Sequence, residues 1–454
     1  MPFIPHTKDD VESMLAAVGA ARIEDLFDEI PVELRAGALK RVPQGRTEMQ
    51  MLEVLGMRAR RDETGPCFLG AGCYDHHIPA AVWDLAQRGE LMTAYTPYQA
   101  EASQGTLQLI YEYQSMMAAL TGMDVSNASV YDGGSGLAEA VLMAIRANKK
   151  AKSRRVCVVE TVHPLYRRVA RDVVRNQGIA IDVLPMAEDG RMDATALQSM
   201  AEPPAAIVLQ QPNFFGLLED VDALADWAAE RGVLVVAVVN PLSLALLKPP
   251  SEWGARGADI VCGDGQPFGI PMASGGPSFG FMCCREALVR QMPGRIIGRT
   301  VDLEGRPGFT LTLQAREQHI RRAKATSNIC TNQGLLVTAA TIHMSLLGAE
   351  GLRRVAVACH RNTTALAASL TGIDGVTLRF DGPFFHERVL RLPGHARAIA
   401  GALAEEGVIA GLPLGELFPQ LEDSLLVCAT EKRTDDDIER YRRALEAELR
   451  RAAE

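Results

Sequence analysis

Val233-Leu234-Val235-Val236-Ala237-Val238-Val239, followed by Asn240-Pro241-Leu242-Ser243, is the stretch of sequence that decides the fold. Its first seven residues are all apolar and mostly β-branched, which indicates a strand. Because the apolar residues are continuous rather than alternating, we expect the strand to be buried on both faces, in a mainly parallel sheet covered by helices. Ligands of such sheets bind at the carboxyl ends of the strands, so the residues that follow each strand are candidates for chemistry.

The same pattern recurs along the middle of the chain. Helix-like segments separate further apolar runs of strand length at residues 156–159, 181–184, 206–209, 260–262 and 279–283. We therefore predict a large α/β domain over residues 65–334.

The two flanks have different patterns. Residues 1–64 alternate short amphipathic helical segments with prolines, which predicts a helical arm that packs on its own core or on a partner. After a helix-like start at 335–347, we expect strands at 376–380, 388–392 and 425–428 and a charged helix at 435–451. Residues 335–454 are therefore predicted to form a smaller C-terminal α+β domain.

Composition narrows the class of protein. Hydrophobic residues make up 47% and charged residues 23% of the 454, as in ordinary soluble globular proteins. The net charge of −9 is spread along the chain, so we expect no nucleic-acid partner. The longest apolar stretch, 232–247, is shorter than the roughly 20 residues that span a bilayer, and the N-terminus lacks a signal-peptide pattern. We expect a cytoplasmic protein without a membrane segment.

Cysteine and histidine spacing gives no metal motif. The nine cysteines form no Cys-x-x-Cys pair and are predicted to be reduced and largely buried. His76 and His77 are adjacent, a spacing that does not let both bind one ion from a helix or a strand. We therefore predict no metal site.

The sharpest local motif is a glycine-rich turn that opens a helix, Tyr131-Asp132-Gly133-Gly134-Ser135-Gly136. Free backbone N–H groups and the positive end of the helix dipole make such a turn an anion site, and phosphate is the natural ligand. Gly134 and Ser135 are the candidate residues. The alternative is that Ser135 is simply part of a helix cap.

Two further side chains follow predicted strands. His163 comes after the strand at 156–159 and could stack on a planar ring or hydrogen-bond a ligand, although a loop histidine is more often structural. Asn240 ends the strand quoted above, and it carries no charge. A neutral hydrogen bond contributes about 1 kcal/mol, whereas one to a charged group contributes roughly 1.5–3 kcal/mol. Asn240 would therefore bind the cationic ring nitrogen of a ligand more weakly than a carboxylate would.

Gln266 lies in Gly263-Asp264-Gly265-Gln266-Pro267-Phe268-Gly269-Ile270-Pro271, between the strand at 260–262 and the next turn. Its amide nitrogen is delocalised into the carbonyl and is not a nucleophile, so Gln266 cannot form a covalent bond to a carbonyl ligand. The chain has eight lysines, and none falls between 249 and 323; they are Lys8, Lys40, Lys149, Lys150, Lys152, Lys248, Lys324 and Lys432.

Several longer motifs together carry a family resemblance. The chain resembles the glycine cleavage system P-protein family, and within it the alpha subunit of the two-subunit form. The match extends from the N-terminal arm to near the C-terminus. The motifs are Phe68-Leu69-Gly70-Ala71-Gly72, Ala94-Tyr95-Thr96-Pro97-Tyr98-Gln99 with Ser103-Gln104-Gly105, Gln211-Pro212-Asn213-Phe214-Phe215-Gly216, Gln266-Pro267-Phe268-Gly269-Ile270-Pro271 and Ala323-Lys324-Ala325-Thr326-Ser327-Asn328-Ile329-Cys330-Thr331-Asn332-Gln333.

This resemblance implies fold type I of the pyridoxal-phosphate (PLP) enzymes, the aspartate-aminotransferase-like transferase fold. It implies a degenerate PLP pocket, in which Gly134 and Ser135 correspond to the phosphate cup, His163 to the ring stack, Asn240 to the ring-nitrogen contact and Gln266 to the Schiff-base lysine. No residue of this chain is then expected to be catalytic. Candidates to line an interface or a partner's active site lie in the 95–104 loop and in 321–333; they are Tyr95, Tyr98, Gln104, Arg321, Asn328 and Thr331.

The resemblance also implies partners and a reaction. The homologous beta subunit carries His-Lys where this chain has Gly265-Gln266, so PLP is expected on the beta subunit of an α2β2 assembly and not covalently on this chain. The family reaction decarboxylates glycine and passes the aminomethyl group to the lipoyl arm of the H-protein. Two alternatives stay open: an autonomous PLP enzyme that uses Lys248 or Lys324, and a sensor that binds a phosphate ligand at the glycine-rich turn.

Overall fold

The computed structural model describes residues 5–37, 40–62, 65–92, 94–198, 200 and 202–453. The chain divides between residues 63 and 64 into a small N-terminal unit and a large second unit. The twelve described α-helices are α1 (Lys8–Val18), α2 (Glu48–Ala59), α3 (Ala80–Ala86), α4 (Gln104–Thr121), α5 (Gly133–Ala147), α6 (Pro164–Val174), α7 (Thr195–Gln198), α8 (Val221–Arg231), α9 (Gln318–Arg321), α10 (Gly334–Thr371), α11 (Ala396–Glu405) and α12 (Asp435–Ala453).

The strands all belong to the second unit. Within the described ranges they are β1 (Val125–Ser126), β2 (Arg155–Val159), β3 (Ala180–Leu184), β4 (Ala206–Gln211), β5 (Leu234–Val239), β6 (Ile260–Asp264), β7 (Gly280–Cys284), β8 (Ile296–Val301), β9 (Pro307–Thr312), β10 (Thr377–Leu378), β11 (Glu387–Arg391), β12 (Leu412–Pro413) and β13 (Ser424–Cys428).

The N-terminal unit contains α1 and α2, and both begin with capping boxes. Thr7 and Asp10 exchange hydrogen bonds at the start of α1, as do Thr47 and Gln50 at the start of α2. Neither helix has a buried side chain. Apolar side chains such as Leu52, which is 60% exposed, therefore lie on the surface of this unit taken by itself.

The main sheet has seven strands in the order β1-β7-β6-β5-β4-β2-β3. Strands β2 to β6 pair in parallel, and β7 is antiparallel to both of its neighbours. All six residues of β5 are buried, as their continuous apolar pattern predicts. The prediction of a mainly parallel sheet under helices is confirmed, with β7 as the exception.

The C-terminal strands form a second, antiparallel sheet in the order β10-β11-β13-β12. Its apolar side chains make a separate core with α11 and α12. The sequence missed the β8–β9 hairpin, because its outer half is exposed and its pattern is not continuously apolar. The boundary at residue 335 stays a prediction; α10 begins at Gly334 and extends to Thr371 with a kink at Gly348.

Helix α10 is long and apolar enough to span a membrane by length and composition alone. Half of its most apolar stretch is buried within the protein, and residues such as Val337, Met344 and Cys359 belong to the main core. Gly348, with φ of 59°, interrupts the helix. The absence of a membrane segment stays a prediction.

Candidate functional site

A cavity of about 520 Å³ lies where β6 ends and α5 begins. Its lining includes Gly134, Asp264, Gln266 and Tyr166, and we call it the Gln266 cavity. It occupies the carboxyl-end position that parallel sheets offer to ligands. Of the predicted pocket residues, the structure brings Gly134 and Gln266 together here.

Gln266 is 3% exposed, and its amide is fully engaged with backbone groups. Its Oε1 accepts from the Tyr74 N–H at 2.8 Å, while Nε2 donates to the Tyr74 carbonyl at 2.9 Å and to the Ile270 carbonyl at 2.8 Å. The Gln266 amide thus links the loop that contains Tyr74 to the loop that contains Ile270, with hydrogen bonds like those between neighbouring strands. A lysine could donate to both carbonyls but could not accept from the Tyr74 N–H.

The expected anion site at the start of α5 is already filled by the protein's own carboxylates. The Gly133 N–H donates to Asp264 Oδ2 at 3.1 Å, and the Ser135 N–H donates to Asp132 Oδ1 at 2.7 Å. The prediction of free N–H groups at this turn is therefore wrong for Gly133 and Ser135. The prediction rested on the glycines of the turn. It did not take into account that Asp132 is the N-cap of α5 and that Asp264 ends the neighbouring strand β6.

Burial raises the pKa of Asp264 to about 6, although three donors bond its carboxylate. The donors are the Ser278 hydroxyl, the Gln266 N–H and the Gly133 N–H. Above this pKa the site carries a negative charge where a phosphate would need a positive one. The Ser135 side chain, moreover, lines a different cavity of about 440 Å³.

His163 lies in the loop after β2, as expected, and is the N-cap residue of α6. Its Nε2 lies 2.9 Å from the Ala71 carbonyl and its Nδ1 accepts from the Leu165 N–H at 3.2 Å, so the ring is neutral with the proton on Nε2. Burial lowers the pKa of His163 to about 4, in agreement with that state.

The ring of Tyr166 stacks on the imidazole of His163. The two rings are 4.4 Å apart at their centroids and 11° from parallel. A Cβ at Gly133 would lie 2.4 Å from the Tyr166 hydroxyl oxygen, so the phenol fills the space beside the start of α5. Sequence reasoning missed Tyr166, although it lies one helical turn after His163.

Asn240 is also engaged within the protein. Its Oδ1 accepts from the Leu242 N–H at 3.0 Å, and its Nδ2 lies 3.3 Å from Nε2 of His386. Burial holds the pKa of His386 well below its usual value, so the imidazole is neutral and can accept this bond. Asn240 does not line the Gln266 cavity as the described residues define it.

The predicted interface residues lie apart from the Gln266 cavity. Tyr95 is 84% exposed. Gln104 exchanges two hydrogen bonds with the Phe309 backbone and so holds the start of α4 to β9. Arg321 donates to the Ala315 carbonyl, and Asn328 lines the 440 Å³ cavity.

Tyr98 and Thr331 meet at Arg295, which the sequence analysis missed. The Arg295 guanidinium is 5.6 Å from the Tyr98 ring centroid, and its Nη1 donates to Thr331 Oγ1 at 2.9 Å. Arg295 is 3% exposed. It therefore joins the 95–104 loop and the 321–333 segment, the two segments that the sequence singled out.

Neither of the two lysines considered as substitutes reaches the Gln266 cavity. Lys248 forms an ion pair with Asp222 at 2.6 Å on the surface, and Lys324 is exposed. No lysine is found in the described lining of the Gln266 cavity. An autonomous PLP enzyme would need an amine in the Gln266 cavity, and neither Lys248 nor Lys324 supplies one there.

Glu387 on β11 fixes the loop that Gln266 also holds. Its Oε1 accepts from the Ala71 N–H at 2.6 Å and its Oε2 from the Tyr74 hydroxyl at 2.9 Å. Burial raises the pKa of Glu387 to about 7. Glu387 could not be found from the sequence, because its partners are more than 300 residues away along the chain.

We expect Glu387→Gln to change how stability depends on pH. A raised carboxyl pKa means that the folded state favours the protonated form, so this stabilisation is complete below pH 4.5 and is lost as the pH rises through 7. The difference in unfolding free energy between wild type and variant should shift by on the order of 3 kcal/mol in favour of Glu387→Gln between pH 5 and 8. Urea titrations at both pH values measure it. Exposed Glu188→Gln is the control, and an equal shift there would contradict the account.

The fold of the chain defines its class. A solved sphingosine-1-phosphate lyase of Burkholderia pseudomallei K96243 superposes with a TM-score of 0.65 over 93% of this chain and 96% of its own, at 19% identity. Together with the seven-stranded sheet and its single antiparallel strand, this places the chain in fold type I of the PLP-dependent enzymes.

Closer relatives give the family. The model of the family "Glycine cleavage system P-protein" matches residues 1–445. "Probable glycine dehydrogenase (decarboxylating) subunit 1" of Thioalkalivibrio sulfidiphilus is 60% identical, covering 99% of this chain and 100% of its own. A crystal structure of glycine decarboxylase (P-protein) of the glycine cleavage system, in inhibitor-bound form, has a TM-score of 0.88 at 43% identity, covering 98% of this chain and 100% of its own. The chain belongs to the glycine cleavage system P-protein family.

The Gln266 cavity of this chain does not fit PLP. A PLP site needs an amine for covalent attachment, donors for the phosphate and a free face for the ring. Here the amide of Gln266 bonds backbone groups, Asp264 and Asp132 accept from the Gly133 and Ser135 N–H groups, and Tyr166 stacks on His163. The chain has the fold of a PLP enzyme, but these groups contact other residues of the same chain.

Proposed function

We propose that this chain is the alpha subunit of a two-subunit glycine decarboxylase, and that a lysine-bearing beta subunit holds PLP and carries out the reaction. The reaction decarboxylates glycine and transfers the aminomethyl group to the lipoyl group of the H-protein. The observation that carries the proposal is Gln266, whose amide is bonded at both ends to backbone groups at the position of the attachment lysine. The name "subunit 1" of the relatives, which implies a second subunit, supports it.

The assembly is proposed to be an α2β2 heterotetramer in the cytoplasm. A duplicated dimer needs only one competent site in each pair, while the other subunit supplies the interface. The N-terminal unit supports this role, because its helices bury no side chain and expose apolar ones. Segments 95–104 and 321–333, joined through Arg295, are the candidates to reach the partner's active site.

Complex formation tests the proposal. Co-expression with the lysine-bearing homologue should give one peak in size-exclusion chromatography that contains both chains in equal amounts. Replacing the exposed Leu52 and Leu55 of α2 by glutamate should weaken that complex while leaving the thermal midpoint of the isolated chain unchanged. Two separate peaks at micromolar concentration of the wild-type chains would contradict it.

The second candidate function, a phosphate sensor, is disfavoured by the carboxylates at the start of α5. We expect inorganic phosphate and PLP to leave the thermal midpoint of the isolated chain unchanged at millimolar concentration. A true ligand at 100 times its dissociation constant would add about 2.7 kcal/mol of stability. A saturable rise that Asp132→Asn strengthens would favour the sensor, because that change removes a negative charge beside the turn.

A further inference from the structure

Three side chains from distant parts of the second unit meet beside the core. His76 lies in the loop before α3, Cys359 on α10 and Glu431 in the loop after β13. His76 Nδ1 is 2.8 Å from Glu431 Oε2, and the Cys359 thiol donates to the same oxygen at 3.2 Å. One atom from each residue lies within 4.8 Å of the other two.

These residues are held in place and shielded from water. His76 is 8% exposed and Cys359 is fully buried, while the Glu431 side chain keeps 13% of its surface exposed. The other oxygen of Glu431 accepts from the His77 N–H at 2.6 Å. Glu431 is therefore oriented by the backbone, and its remaining exposure leaves solvent a route to the group.

A second observation indicates that hydrogen bonding within the group is incomplete. His76 Nε2 is buried and has no hydrogen-bond partner. The neighbouring His386, whose ring centroid is 6.3 Å from that of His76, also has a buried ring nitrogen, Nδ1, without one. An unpartnered buried nitrogen costs roughly 1–3 kcal/mol, and a bound water molecule or ion is one way in which a native protein offsets that cost.

We propose that His76, Cys359 and Glu431 form a binding site for a divalent transition-metal ion of the zinc class. One imidazole nitrogen, one thiolate sulfur and one carboxylate oxygen are the ligand types that zinc takes in proteins. Zinc forms bonds of about 2.0–2.3 Å to ligands of these types. A water molecule would complete a tetrahedral set.

The charge and proton balance of the site suit such an ion. Binding forms bonds to Nδ1 of His76, to the sulfur and to the carboxylate; the thiol proton of Cys359 leaves to solvent, and the imidazole changes tautomer so that the proton facing Glu431 on Nδ1 is replaced by one on Nε2. The ligands then carry two negative charges, which the ion neutralises in a buried place. The ion would also link the loop at 73–78, helix α10 and the end of β13, which are otherwise joined here by hydrogen bonds.

Spacing in the sequence could not reveal this group. The expectation of no metal site was drawn from adjacent His76 and His77 and from the lack of Cys-x-x-Cys. Glu431 lies 355 residues from His76, so only the fold brings the ligands together.

Metal binding to the full-length, tag-free chain tests the proposal. After treatment with a chelator, loading with zinc sulfate and desalting, we expect about one zinc ion per chain by mass spectrometry. Loading with cobalt(II) should give a sulfur-to-cobalt charge-transfer band in the near ultraviolet. Cys359→Ser should abolish the band and the bound zinc, and His76→Gln should weaken zinc binding at least about 10-fold.

Cys330→Ser is the matched control, because it removes an exposed cysteine and should leave the zinc content and the cobalt band unchanged. Wild-type chain that retains no zinc would overturn the proposal. So would a cobalt band that survives in Cys359→Ser. The wild-type measurement decides by itself if a variant fails to fold.

Discussion

Gln266→Leu should lower the free energy of unfolding by about 3 kcal/mol, because it leaves the buried Tyr74 N–H without an acceptor. Leucine has nearly the volume of glutamine but offers no polar atom, so the Tyr74 and Ile270 carbonyls also lose a donor. Urea unfolding followed by circular dichroism measures the change. A large effect would show that Gln266 has a structural role.

The control is Gln99→Leu, since Gln99 is exposed in a loop of the same unit. It should change stability by less than about 0.5 kcal/mol. If Gln266→Leu were as mild as the control, the hydrogen bonds of Gln266 would not be holding the loop, and the structural role would have to be abandoned.

Glycine decarboxylation should depend almost entirely on the partner. The isolated chain has no lysine in the described lining of the Gln266 cavity, and its phosphate donors are engaged, so its rate should stay at background. Adding the lysine-bearing homologue and lipoylated H-protein should raise the release of labelled CO2 from carboxyl-labelled glycine by at least about a thousandfold.

Two control mixtures sharpen this result. The partner without this chain should release much less CO2, because the proposal assigns this chain a necessary interface. Gln266→Lys in this chain should not restore activity in the absence of the partner, since Asp132, Asp264 and Tyr166 still fill the cavity. Turnover by Gln266→Lys alone would show that the lysine was the only missing part.

Most of the fold could be predicted from the sequence. Strand β5 is an example, because burial on both faces requires the continuous apolar run that Val233–Val239 displays. The β8–β9 hairpin could not be found in the same way, since its exposed half lacks both continuous and alternating hydrophobicity.

The candidate site was predicted less completely. Gln266 and Gly134 line one cavity, and each belongs to a motif that the sequence singles out. The partners that occupy the site could not be predicted. Asp264 bonds Gly133 from 131 residues away, and Glu387 bonds Ala71 from 316 residues away, so these contacts are set by the tertiary fold alone.

These contacts give Gln266 a structural role. Gln266 does not leave a gap in an active site; it connects two loops through three hydrogen bonds. Asn240 and the start of α5 are likewise committed to partners inside the chain. The polar groups at these positions therefore form hydrogen bonds within the chain, on a fold of the PLP-enzyme type.

The lysine to which PLP becomes attached decides whether the partner or this chain holds the cofactor. The co-purified complex would be incubated with PLP, reduced with borohydride, digested and mapped by mass spectrometry, beside the isolated chain treated in the same way. We predict one pyridoxyl group per partner chain, on its attachment lysine, and no stoichiometric label on this chain in either sample. A stoichiometric pyridoxyl-lysine on this chain, at Lys248, Lys324 or elsewhere, would contradict the account.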